Sequence, residues 1–289
     1  MPISDEQRAA RRKYIGSSDV AAILGKDPWR TAADVYISKV EELEDRPNEA
    51  MVAGTKLERT VVEWAADKLG AVLIPDQFRV SPKNELMSAN HDALVKDKPW
   101  GVEAKTACVL HFAREIADQW GEPGSDEVPS HVLLQCQAQM FVSDLELVWV
   151  PVLIGGRGFQ MYCVDRSEKL VEVIVNESTR FWEQHVAARI PPVGYAPSID
   201  VVKAVRRQPK KVVPIRLELV DAWQEAKRKE KEAAEACERS LAILLAELGD
   251  AEAGECDDGV LTYMEQTRKS FVAKETTFRV PRFKAKSNG

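Results

Sequence analysis

Apolar residues recur along the chain in two rhythms. In GTKLERTVVEWAADKLG, residues 54–70, Val61, Val62, Ala65 and Leu69 share one stripe of a 3.6-residue repeat. That predicts a helix closed by Gly70 at the position after its C-cap. Further helices are predicted over 5–13, 18–25, 31–43, 130–144 and 168–188, and a long charged one over about 217–248. Runs rich in β-branched and apolar residues predict strands at AVLIPDQFRV (71–80), ELMSANHDALV (85–95) and WGVEAKTACV (100–109). ELVWVPVLIGG (146–156) and GFQMYCVD (158–165) read as two more, joined across Gly155-Gly156-Arg157-Gly158 as a hairpin. EDRPNEA (44–50) and the polar stretch 119–129 read as connections.

Helices, three strands, a helix, two strands and a helix make an α/β (α+β) core around a central mixed sheet, over residues 1–195. Residues 196–289 read as an arm, with the long helix over about 217–248 and a β-hairpin over about 259–283.

Composition narrows the class. With 45% apolar and 30% charged residues in 289, the chain reads as an ordinary soluble protein. It has no apolar run of membrane-spanning length, so no membrane partner is expected. MPISDEQRAARRKY lacks the apolar centre of a signal peptide, which points to a cytoplasmic protein. The five cysteines are scattered, with no C-x-x-C pair, and read as reduced thiols rather than a zinc site. A net charge of −6 weighs against a surface coated in nucleic acid. Local basic clusters remain at Arg11-Arg12-Lys13 and between Lys203 and Lys210, so a segregated basic channel is compatible with it.

Three acids and a lysine carry the candidate chemistry. Glu58 falls on the apolar stripe of its own helix, where a carboxylate is costly unless it is paired or binds a cation. The bland reading is an acid at the stripe's edge. Glu103 and Lys105 alternate within WGVEAKTA, so in a strand they share a face about 6.5–7 Å apart. Asp92 lies 11 residues upstream, which suits the neighbouring strand of a hairpin. Two carboxylates and a backbone carbonyl suit Mg²⁺, beside which a lysine can reach an attacking water or a phosphate. On spacing alone the triplet is a weak signal. Gln135 and Gln139 fall on one helix face, with Gln137 turned away. IGSSDVAAILGKDPW, residues 15–29, is a well-capped helix start: Ser17 or Ser18 can take free N–H groups, and Asp19 suits the dipole. A start of this kind is also a place for a phosphate, and Arg11 and Arg12 lie just upstream.

Five motifs in order, IGSSDVAAILGKDPW, GTKLERTVVEW, ANHDALV with VEAKTA, QCQAQM and VPVLIGGRGFQMYCVDR, resemble the YqaJ-type viral recombinases. These include the phage lambda exonuclease type, within the PD-(D/E)xK nuclease superfamily. The resemblance covers about residues 11–190 and implies a restriction-endonuclease-like core. It implies a Mg²⁺-dependent exonuclease, with Mn²⁺ as a substitute, that digests one strand of duplex DNA from its 5′ end. It further implies a homotrimer ring around the DNA and a single-strand annealing protein as partner. By motif, Asp92, Glu103 and Lys105 match the catalytic set, Glu58 the helix acid, and the Ala104 carbonyl a further metal ligand. Gln137 or Gln139 would order the lysine or the terminal phosphate. Ser17, Ser18, Arg11, Arg12 and Asn90 would surround the DNA 5′-phosphate. Two positions depart from the family pattern: His91 stands before Asp92 in place of the usual proline, and Ala138 stands within the glutamine motif in place of a histidine.

Overall fold

The computed structural model describes residues 11–44, 47–107, 120–265 and 267. Most of the helix expected over 5–13 and the outer part of the hairpin expected over 259–283 lie outside them. The chain divides into two compact units after Pro209. The first begins with β1 (Ile15–Gly16), a 3-10 turn (Ser17–Asp19), α1 (Val20–Ile23), α2 (Ala32–Val40) and α3 (Glu49–Leu69). Next come β2 (Leu73–Val80), β3 (Met87–Val95), β4 (Trp100–Val102), β5 (Lys105–Ala107) and α4 (Ser130–Ser143). It closes with β6 (Leu147–Ile154), β7 (Gly158–Asp165), α5 (Glu168–Phe181), a π turn (Trp182–Ala187) and α6 (Ile199–Ala204).

Its seven strands form one mixed sheet, ordered β1-β3-β4-β6-β5, with β2 also on β3 and β7 also on β6. The expected β6–β7 hairpin is present, antiparallel from Leu147↔Asp165 to Ile154↔Gly158. Alternate residues of β6 (Val148, Val150, Val152, Ile154) pack with Val132, Cys136 and Met140 of α4. Each such aliphatic side chain contributes about 1.5–3 kcal/mol by leaving water. Another side of α4 packs Leu134, Ala138 and Phe141 against Ile15, Val20 and Met87. Val61, Val62 and Ala65 of α3 are buried as the stripe predicts. The helix starts at Glu49, inside the stretch read as a loop, because Asn48 caps it by accepting from the Met51 N–H at 2.9 Å.

WGVEAKTACV is not one strand. β4 and β5 lie end to end along β6 in one continuous parallel register, with Val102 beside Trp149 and Lys105 beside Val152. Between them Glu103 still donates to the Trp149 carbonyl at 2.9 Å. The next donor in a parallel ladder, to the Glu103 carbonyl, would be residue 151. That residue is a proline with no N–H, so the ladder breaks at Glu103-Ala104. The β3–β4 ladder also stops there, at Ala93↔Val102.

The first unit runs past the expected boundary at 195. Ser198 caps α6 and donates its N–H to Asp34 of α2 at 2.7 Å, and Leu43 bridges Val205. These bonds tie residues up to Arg206 to the core. The second unit contains α7 (Leu217–Leu248), β8 (Ala253–Cys256) and β9 (Gly259–Thr262). A hairpin turns at Asp257-Asp258, where Cys256 pairs with Gly259, so Gly259 opens its second strand; most of the hairpin expected over 259–283 lies outside the described residues.

Candidate active site

Glu103 is the hub of a cluster assembled at the break. Its side chain is buried, and Oε1 accepts from Lys105 Nζ at 2.5 Å and from Gln135 Nε2 at 2.6 Å. Oε2 accepts from Gln139 Nε2 at 2.5 Å. Gln135 Oε1 in turn accepts from Lys105 Nζ at 3.0 Å, closing a triangle of acid, lysine and amide. Gln139 also donates to the Asn90 carbonyl at 3.2 Å, while its own Oε1 is buried with no partner among the described residues. Burial works against the Lys105 ammonium, but the Glu103 charge and hydrogen bond outweigh it and raise its pKa above the ordinary lysine value.

Asp92 joins from β3. Its Oδ2 accepts the Ala104 N–H at 2.7 Å, where the β3–β4 ladder would otherwise have continued. Its pKa is raised well above the usual carboxylate range, first by burial and then by Glu103, against the pull of Lys105. Glu58 comes from α3, which crosses β5 at Gly54: a Cβ there would sit 3.6 Å from the Thr106 hydroxyl. Glu58 lies one helical turn further on, and its pKa is also raised, first by burial, then by Glu103 and Asp76. Asp92 and Glu58 thus each feel the negative charge of Glu103.

The candidate donors are hard oxygens: the Glu58, Asp92 and Glu103 carboxylates and the Ala104 carbonyl at the break. Acids whose pKa a neighbouring carboxylate raises are short of positive charge, and this chemistry fits a hard divalent cation. Among the described residues no three His, Cys, Asp or Glu side chains form a ready-made metal cage. Both Glu103 oxygens are instead held by Lys105, Gln135 and Gln139. His91 points its Nε2 away from the cluster's hub, at the Ser143 hydroxyl at 2.7 Å.

Of the glutamines, the structure brings Gln139 to the cluster and places Gln137 elsewhere. Gln137 donates to the Asp165 carbonyl at 2.7 Å and accepts from the Ser167 N–H at 2.8 Å, fastening α4 to the end of β7. Gln135, absent from the expected site residues, takes the position at Lys105. The signal for it was the i,i+4 spacing with Gln139, which sets both amides on one helix face.

The 15–29 stretch resolves differently from a single capped helix. It is a 3-10 turn followed by the four-residue α1, so its dipole is short. Ser17 is buried and Ser18 exposed. Parallel pairing sets Gly16 beside Ser88 of β3, and Asn90, two residues further along β3, is exposed. Asp19 is buried and neutralised by Lys39 at 2.6 Å and Arg30 at 2.9 Å. Burial alone would raise its pKa; the two cations overcome this and hold it well below the usual range. Lys39 also donates to the Arg11 carbonyl at 3.1 Å, and Arg12 Nε to the Lys39 carbonyl at 3.4 Å, so the basic segment is tied to the same network.

A cavity of about 290 Å³ opens between Gly25-Lys26-Asp27-Pro28 and Ser130-His131 at the start of α4. His131 lies one turn before Gln135, and burial and then the Lys105 charge lower its pKa. Trp29 is exposed and meets the His131 ring edge-on, with centroids 5.1 Å apart.

The chain is similar to several known proteins. Curated proteins include YqaJ of Bacillus subtilis (strain 168), an uncharacterised protein 26% identical over 212 residues. The match covers 72% of this chain and 62% of the Bacillus protein's length. Among solved structures, the alkaline exonuclease LHK-Exo of Laribacter hongkongensis is similar in fold, with a TM-score of 0.52 and 20% identity. That likeness covers 65% of this chain and 94% of LHK-Exo. The same exonuclease in complex with dAMP gives a TM-score of 0.53 at 20% identity. Among the described residues no helix is long and apolar enough to cross a membrane. Residues 7–146, which carry Glu58, Asp92, Glu103, Lys105 and the three glutamines, match the YqaJ-like viral recombinase domain.

Proposed function

We propose that the protein is a divalent-metal-dependent deoxyribonuclease that digests one strand of linear duplex DNA from its 5′ end. It releases 5′-mononucleotides and leaves 3′ single strands for annealing. The observation that carries this reading is the Glu103–Lys105–Gln135 triangle beside Asp92, at a break in the sheet. Asp92, Glu103 and the Ala104 carbonyl would hold Mg²⁺ or Mn²⁺, with Glu58 supporting the same or a second ion. Such an ion supplies Lewis acidity and lowers the pKa of a bound water.

The chain's own groups divide the remaining work. Because the Lys105 pKa is raised, the side chain stays an ammonium up to alkaline pH. It therefore suits stabilising charge on the phosphate rather than removing a proton. Gln135 and Gln139 fix Glu103 in one orientation, so little reorganisation is needed when substrate arrives. Exposed Ser18, Asn90 and the basic residues Arg11 and Arg12 would receive the 5′-phosphate. Asp19 is no obstacle to that anion, since Arg30 and Lys39 already neutralise it. The dAMP complex of LHK-Exo supports a mononucleotide product. A homotrimer ring and an annealing-protein partner extend the same reading.

Glu103→Ala and Lys105→Ala test it on 5′-phosphorylated linear duplex with Mg²⁺. Each is expected to lose about 10²–10³-fold in rate or more. Closed circular DNA should resist the wild type. Wild-type-like digestion by either variant, or cutting of closed circles, overturns the reading.

A further inference from the structure

None of the 32 residues of α7 is buried, although the helix carries a long apolar seam. Val220, Trp223, Ala234 and Cys237 fall on one line, and Leu241, Leu244 and Leu248 continue it at steps of three and four. That is the spacing of a coiled-coil seam. The two seam positions in the middle are occupied by opposite charges, Lys227 and Glu230, which pair within the helix at 3.1 Å.

Those two charges select the partner. A parallel bundle of identical helices would stack Lys227 on Lys227 and Glu230 on Glu230, in two repulsive layers. An antiparallel pair reverses the order. The steps from 220 to 223 to 227 mirror those from 237 to 234 to 230. A single register therefore sets Lys227 against Glu230, the bulky Trp223 against the small Ala234, and Val220 against Cys237. Leu241 and Leu244 then run past the start of the facing helix, where Val213 and Ile215 are exposed.

We propose that α7 docks antiparallel on α7 of a second copy, in the register that opposes Lys227 and Glu230. The pairing is two-fold, so the full assembly contains an even number of chains, and a three-fold core joined this way contains six. A rival register, one heptad away, overlaps the whole helix and opposes Trp223 to Leu241. It leaves Lys227 facing Cys237 and assigns no role to the charges.

Sedimentation equilibrium on the full-length chain separates the two. Lys227→Glu and Glu230→Lys each create like-charge layers. Each alone should fall to half the wild-type mass at concentrations where the wild type stays assembled, a weakening of about tenfold or more. A 1:1 mixture of the two variants restores opposite charges in both layers, as does the double exchange K227E/E230K, and both should recover the wild-type mass. Circular dichroism should show unchanged helix content in every case. Single variants that keep the wild-type mass, a mixture that fails to recover it, or an odd-numbered wild-type assembly overturn the proposal.

Discussion

Asp92→Asn should make the metal-free protein more stable while removing its activity. The part-buried Asp92 carboxylate feels the charges of Glu103 and Glu58 and accepts one backbone hydrogen bond, from the Ala104 N–H at 2.7 Å. Asparagine keeps an oxygen for that donor and removes the charge. The sign follows from the raised folded-state pKa. In the unfolded chain Asp92 ionises near the ordinary aspartate value of 3.8, whereas in the fold it resists ionising. Ionisation therefore opposes folding from about pH 4 upward, until the folded-state pKa is passed, and the penalty is constant beyond. Relieving strain of this functional kind is worth about 0.5–2 kcal/mol. For a domain of this size that raises Tm by about 2–6 °C. Thermal melts in EDTA at pH 8 should show the gain, and melts near pH 4 should show it shrinking. Added Mg²⁺ should raise the wild-type Tm as ligand linkage requires, and raise that of D92N much less. A variant less stable than wild type in EDTA at pH 8, or one that gains as much from Mg²⁺, would refute the reasoning.

Two further predictions concern neighbours of the cluster. Gln135→Leu should cut nuclease activity by about 10–10²-fold with melting temperature little changed, because it frees Lys105 and Glu103 from their shared amide. Gln137→Leu should do the opposite, keeping activity but losing about 1–3 kcal/mol in urea unfolding, because it orphans the Asp165 carbonyl and the Ser167 N–H. His91 is held neutral by burial, its pKa lowered to about 4 from 6.5. Its contribution to stability is present above pH 6.5 and lost as pH falls towards 4, amounting to about 3 kcal/mol. In His91→Gln, unfolding measured at pH 7.5 and 4.5 should show that much less difference than in wild type; an unchanged difference counts against the burial account.

How legible the site was depends on how local its causes are. The Glu58 stripe, the Glu103/Lys105 alternation and the Gln135/Gln139 face are properties of one element each, and each was readable from spacing. What spacing could not supply is which face of a helix meets the sheet. Spacing did turn Gln137 away from its two neighbours; only the family resemblance made it an alternative to Gln139, and it fastens α4 to the end of β7 instead. The cations that neutralise Asp19 were equally out of reach. Arg30 and Lys39 are 11 and 20 residues away, one before α2 and one near its end, and only the tertiary fold brings both to Asp19.

The break between β4 and β5 is the sharpest case. Its cause is Pro151, on a strand that the chain reaches only after α4, and nothing within WGVEAKTACV signals it. Proline in the interior of a sheet removes a ladder bond, a loss that a purely structural strand would not tolerate. Here the register of β5 on β6 resumes unshifted at Lys105, so the break costs the sheet no alignment. It leaves a two-residue gap in which Pro151 offers the Glu103 carbonyl no donor and the Ala104 N–H is taken by a side chain, Asp92. An unbroken strand would have committed both main-chain groups to the ladders. Glu103 and Lys105 would still share a face, but Asp92 would have lost the hydrogen bond that holds its carboxylate beside them. The proline, rather than any residue of the acidic motif, is therefore what turns two paired strands into a place where three elements can present acids, an amide and a lysine together.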